Sequence, residues 1–175
     1  MYLADFTAIA EASRESGGGF RAFRTTDRVL GLRWPDDVAE QWLYDHSDKG
    51  PFLQDYGDVD LSRIRWDLEA LQAADIAAMP TGPSEHDIID EFAADPDHWI
   101  SVRDSGVHLG VAQMWDFHGT WKRWPVLIDR RLLEPSGAGL QVVEGRTRVG
   151  ILKGRLKRGA FVAERHLAWV GRPGP

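Results

Sequence analysis

The stretch LQVVEGRTRVGILKGRLKRG, residues 140–159, constrains the fold more than any other part of the chain. Residues 140–143 form an apolar run of strand length that ends at an acid, Glu144, and a glycine, Gly145. Val149, Leu152 and Leu156 then recur at helical spacing until Gly159 closes the pattern. A strand that passes through a single glycine into an amphipathic helix needs a sheet for that helix to cover. The segment therefore predicts an α/β (or α+β) domain, a small mixed sheet with packed helices.

The flanking sequence extends this unit. WPVLIDRRLL reads as a strand, EPSGAG as a turn, and AFVAERHLAWVG as a final strand. Residues 126–128, 140–143 and 167–170 are expected to share one sheet. Upstream, YLADFTAIAEASRES reads as a helix stopped by Gly17, Gly18 and Gly19, residues 28–33 as a strand, and the segment after Pro35 as a helix with Asp36 and Asp37 at its positive end. SDKGPFLQDYGDVD has the Gly, Pro and Asp content of a loop. LSRIRWDLEALQAADIAAMP carries Leu61, Ile64, Leu68 and Leu71 at helical spacing. Ser84 and Asp87 have the outline of a capping box for a helix over 85–94, and residues 99–117 read as two short strands around a turn at 104–106. His166, alternating with apolar neighbours, is expected to point away from the core.

Charge divides the chain. Residues 1–100 carry 21 acids and 8 bases, whereas residues 101–175 carry 6 acids and 13 bases. The expected organisation is an acidic, mainly helical extension over 1–95, a basic α/β core over 96–171 and a tail over 172–175. The basic part would attract an anionic ligand, or the two parts attract each other and the acids cover the bases. The acidic half could also face a protein partner. A sequence pI of about 5.5 argues against nucleic acid as the main ligand. No apolar run reaches the roughly 20 residues of a membrane span, and the N-terminus has no signal-peptide pattern, so a cytoplasmic protein without membrane attachment is expected. The absence of Cys excludes disulfides, thiolate metal sites and a Cys nucleophile.

The turn after residue 143 has the parts of an anion site. Gly145 lets backbone approach a ligand closely, and the helix start that follows offers free N–H groups and a positive dipole end. Thr147 adds a hydroxyl, and Arg148 a guanidinium able to grip phosphate oxygens in a fork. A solvated helix start whose arginines pair with neighbouring acids is the plainer alternative.

Residues 124–171 resemble the core of the ParB/sulfiredoxin superfamily: a strand opening on Pro125, a variable turn, a strand ending in Gly-x-x-Arg (Gly145 to Arg148), a helix and a further strand. Glu144, the acid before the glycine, resembles the form found in nucleotide-using members. The resemblance implies a nucleotide-binding protein (ATP, CTP or ADP, with Mg2+), with Gly145, Arg146, Thr147 and Arg148 as the phosphate turn. It would act as a phosphotransferase or nucleotide hydrolase. A non-catalytic regulatory or partner-binding protein on the same scaffold is the first alternative, and a nuclease the second. Sulfiredoxin chemistry is not expected, because that turn needs a Cys. Centromere binding is not expected either, because no helix-turn-helix follows within these residues.

Three catalytic candidates stand out. Glu144 adjoins the phosphate turn, as an acid/base or as the ion-pair partner of its arginines. WDFHGTWKRW, residues 115–124, places Asp116 and His118 among Trp115, Trp121 and Trp124, either as acid/base groups behind a base-stacking wall or as part of a hydrophobic cover for the sheet. His86, Asp87, Asp90 and Glu91 lie on one stretch of helix, but with no partner motif no metal ligands are assigned.

Overall fold

The computed structural model describes residues 1–174. A 3-10 turn, Leu3–Phe6, leads into helices α1 (Thr7–Glu15), α2 (Gly19–Phe23), α3 (Asp27–Leu32) and α4 (Asp36–Val38). The last of these continues as a π-helical segment, Ala39–Tyr44. Then follow α5 (Gly50–Tyr56), β1 (Ile64–Gln72), α6 (Ala73–Ala77), α7 (Ile88–Ala94), α8 (Pro96–Arg103) and α9 (Val111–His118). The last third holds β2 (Val126–Asp129), β3 (Leu140–Glu144), α10 (Arg146–Lys157) and β4 (Arg165–Pro173). With 54% helix and 16% strand the class is α+β. Among the described residues no helix is long and apolar enough to cross a membrane.

The four strands form one mixed sheet in the order β1-β4-β2-β3. β2 runs parallel to β4 and antiparallel to β3, and β1 is antiparallel to β4. All four residues of β2 are buried, as expected of an apolar strand with partners on both edges and layers on both faces. Alternate side chains feed two cores. Val126, Ile128 and Val143 pack with Leu3, Phe6, Trp42 and Tyr56 on one face. Leu127, Val142, Ala168 and Val170 pack with Val149, Ile151 and Leu152 of α10 and with Ile89 and Ile100 on the other. The expected strands at 126–128, 140–143 and 167–170 and the helix that covers them are all present, with Val149 and Leu152 fully buried and Leu156 partly so.

Five local expectations give way. Residues 28–33 lie in helix and in its left-handed end at Arg33 (φ 54), not in a strand. The expected loop at 47–60 contains α5, because Phe52 and Tyr56, one turn apart, both bury into the core. Residues 64–72 also satisfy period 2, and pairing with β4 from Ile64↔Pro173 to Gln72↔Arg165 makes them a strand. The charged Arg65, Asp67 and Glu69 stand along this edge strand. Residues 99–117 fold as α8 and α9; Asp104 makes their junction, its Oδ1 accepting from the N–H of Gly110 (2.6 Å) and Val111 (2.8 Å). Ser84 forms no capping box. Its N–H (3.1 Å) and hydroxyl (2.6 Å) donate to Asp55, and the helix starts at Ile88. The expected boundary at residue 95 falls at the junction of α7 and α8, both of which pack on α10.

Close approach of α7 and α8 depends on two glycines of α10. A Cβ at Gly150 would stand 2.4 Å from the Phe92 Cβ, and one at Gly154 2.5 Å from the Ala93 carbonyl. Gly150→Ala is expected to cost about 1–3 kcal/mol by overpacking. Gly31→Ala, in α3 with nothing within 4 Å of the added carbon, should instead stabilise by about 0.4–1 kcal/mol. Urea denaturation midpoints of the two variants check this opposite pair of signs.

Candidate functional site

The end of β3, the start of α10, the π-helical segment and the α8–α9 junction surround a cleft of about 720 Å3. Gly145 enters it with φ 95, a conformation L side chains rarely adopt, and a Cβ there would stand 2.6 Å from Pro125. Glycine is thus required twice at this position. Where β3 meets β2 the register skips a residue: Val126 faces Glu144 while Leu127 faces Val142. Such a bulge re-aims the strand end, and Glu144 lines the cleft.

Arg148 is the hub of this region. Its guanidinium donates to the carbonyls of Arg123 (3.0 Å) and Trp124 (3.4 Å), to Gln41 Oε1 (2.7 Å) and to the Glu144 carboxylate. Gln41, itself buried, donates onward to the Trp124 carbonyl (3.1 Å). The fork expected to close over a phosphate is therefore engaged by internal acceptors. Arg146 turns away from the cleft, pairing with Glu85 and lying 4.7 Å over the Phe52 ring. Thr147 stays in it and accepts from Arg103 (3.2 Å).

The charges around the cleft are not evenly matched. Arg123 pairs with Asp37 (2.6 Å) and Glu40 (2.5 Å). Arg103 and Lys122 line the cleft, are exposed, and have no carboxylate partner among the described residues; Lys122 donates to the Leu109 carbonyl (2.7 Å). Asp45 also lines it, with an exposed side chain that makes no hydrogen bond or ion pair among those residues. Partial loss of water pushes its pKa up; His46 and Arg123 oppose that shift, and Glu40 and Glu144 add to it. The pKa of His108 is pushed down, by burial first and then by Arg103, Arg148, Arg123 and Lys122. Burial would raise the Glu144 carboxyl, but Arg148, His46 (4.0 Å) and Arg146 bring it down to about 2.

Of the residues predicted from sequence, Glu144, Gly145, Thr147 and Arg148 meet in the cleft. Asp116 and His118 are exposed on α9 and are not among its lining residues. Trp115 and Trp121 back the cleft but are buried, Trp121 donating to the Leu167 carbonyl (2.8 Å), and Trp124 packs edge-on against Trp169. These tryptophans therefore cover the sheet. His166, expected to face outward, is buried between Trp115 and Trp121 with Nδ1 2.8 Å from the Thr120 hydroxyl. Gln41, Asp45, Arg103 and His108 carried no sequence signal, since each lies outside any motif, and within the 115–124 stretch the signal pointed to Asp116 and His118 and not to Lys122. The π-helical turn that presents Glu40 and Gln41 to the cleft is a rare element that often accompanies functional sites.

Comparison with family models, curated proteins and solved structures returned no match. Two outcomes test the electrostatic hub. Arg148→Ala is expected to cost about 1–3 kcal/mol at neutral pH, because the half-buried Glu144 loses its nearest cation and Gln41 and two carbonyls lose their donor. The pKa of Glu144 is about 2 in the fold against about 4.3 unfolded, so its charge stabilises the protein above pH ~4.3, and that contribution is lost as pH falls toward 2. Glu144→Gln should flatten the fall in stability across that window, as read by urea denaturation at a series of pH values.

Proposed function

We propose that this cleft binds the phosphate groups of a small-molecule ligand, a nucleoside di- or triphosphate in the first instance. The observation that carries the reading is the pair of unmatched cations, Arg103 and Lys122, in a cleft that opens on the start of a twelve-residue helix. The first N–H groups of α10 have no carbonyl partner in their own helix and suit an anion. Arg103, already within hydrogen-bond distance of Thr147, brings a guanidinium to the same place. The volume lies within the roughly 300–1,000 Å3 of small-molecule sites, and Val111, Trp115 and Ile151 supply an apolar wall. The Gly-x-x-Arg resemblance to the ParB/sulfiredoxin superfamily supports the same ligand class, with one change of role. Arg148 braces the turn, and Arg103 and Lys122 supply the charge. Mg2+ would arrive with the nucleotide, whose phosphates commonly supply ligands to it.

Calorimetric titration with ATP, CTP and ADP in the presence of Mg2+ tests the reading. Wild type should bind at least one of them. Arg103→Gln and Lys122→Gln should each weaken binding about tenfold, the loss of one charge-assisted contact. Lys157→Gln, at the far end of α10, should change little. No heat with any of the three nucleotides would sink the proposal and leave the regulatory-partner reading ahead.

A further inference from the structure

The turn between α8 and α9 forms part of the cleft wall, and one hydrogen bond holds it to the rest of the fold. Val107 and His108 line the cleft, yet Val107 is 87% exposed and Leu109, beside them in the chain, 67%. Burial does not fix such a turn in place. Asp104 closes its base, Oδ1 accepting from the N–H of Gly110 and Val111. Two backbone bonds, from His108 to Ser105 (2.9 Å) and from Leu109 to Gly106 (3.2 Å), lie inside it. Among the described residues, the only hydrogen bond from residues 105–109 to anything beyond α8 and α9 is the one that the Leu109 carbonyl accepts from Lys122. Gly106 (φ 54) and Gly110 (φ 95) flank Val107 to Leu109, and nothing lies within 4 Å of where a Cβ of either would stand. The turn is therefore closed on itself, flanked by two residues free to change φ and tied across by one lysine.

We propose that residues 105–109 are a flap that closes over the bound phosphate ligand, and that Lys122 is the catch that releases it. The inference rests on the phosphate-binding reading above and deepens it by stating how the site shuts. Lys122 lines the cleft while its ammonium holds the Leu109 carbonyl at 2.7 Å. On its flexible stem that ammonium gains more from an anionic phosphate oxygen than from a neutral carbonyl. As it turns to the ligand, Leu109 loses its tie and the two glycines absorb the swing of the turn. Closing takes Val107 out of water and onto the ligand, and it carries His108 along. Water leaves the closed cleft, which strengthens the contacts of Arg103 and Lys122 with the phosphate. The exposure of Val107 thus belongs to the open state, and binding and closure are coupled through one side chain.

Hydrogen exchange of the full chain, read by mass spectrometry on peptides covering residues 105–111, tests the flap with ATP, CTP and ADP in turn, each with Mg2+. A nucleotide that binds wild type by calorimetry should slow exchange there about tenfold at saturation. Lys122→Gln without nucleotide should move the other way, about threefold faster, because the tie to Leu109 is gone. Val107→Ser changes an exposed side chain and leaves the open fold intact. It should lose most of the slowing and release the nucleotide about tenfold faster in stopped-flow displacement, with association little changed. Leu109→Ser, whose side chain is outside the cleft's lining, should release it at the wild-type rate. A nucleotide that binds but leaves exchange over 105–111 unchanged would overturn the flap and leave the phosphate site intact. Unchanged exchange in unliganded Lys122→Gln would overturn Lys122 as the catch, and wild-type behaviour of Val107→Ser would overturn closure onto the ligand. Failure of all three nucleotides to bind would overturn the phosphate reading and the flap together.

Discussion

One guanidinium holds the walls of the cleft together. Arg148 reaches from the first turn of α10 to the end of β3 through Glu144, to the loop before β2 through two carbonyls, and to the π-helical segment through Gln41, 107 residues away in sequence. Every partner is an acceptor, and Arg is the side chain that presents five donors in a fixed plane. Lysine has three donors on a flexible stem and could not hold three separate backbone regions at once. Because Glu144 loses water in the process, the pair is stable only while both members are charged, which ties the cleft's geometry to the ionisation of one carboxylate.

The same logic explains the charge asymmetry of the chain. The basic C-terminal part is largely neutralised by the acidic N-terminal part: Arg123 by Asp37 and Glu40, Arg146 by Glu85, Lys153 and Lys157 by Asp90, Arg158 by Asp97, and Arg172 by Glu69. Several of these pairs are half-exposed and contribute little each. Five basic side chains of that part, Arg103, Lys122, Arg130, Arg155 and Arg165, keep no carboxylate partner among the described residues, and of these Arg103 and Lys122 line the cleft. The proposed anionic ligand would thus meet these two cations at the cleft and not a broad basic face.

What was legible in the sequence is the unit β2–β3–α10–β4, and the reason is locality. An apolar run, a glycine and a helical period over 20 residues each act through neighbouring side chains, so the pattern and the structure agree there. Gly145 was legible for the same reason, since a turn of positive φ leaves few other choices. Gly145, Thr147 and Arg148 do meet at the cleft while Arg146 turns away, and nothing in the sequence announces Gln41 or the carbonyls of Arg123 and Trp124 as acceptors for Arg148. Asp116 and His118 were drawn in by their neighbours in the chain, whereas α9 turns them outward and keeps Trp115 inward.

By itself, then, the sequence determined the class of the fold, the strand–glycine–helix turn and the close α10 packing face. Tertiary structure alone decided that residues 64–72 are a strand, since they fit both periods and only β4 at the far end of the chain selects one. It also decided which charges are matched and which are left over. Helix and strand propensity act over a few residues. The side-chain contacts that build the tertiary structure reach between residues 44 to 132 positions apart, such as the hydrogen bonds of Arg103 with Thr147 and Trp169 with Asp37, and no local pattern records which partners the fold will bring together.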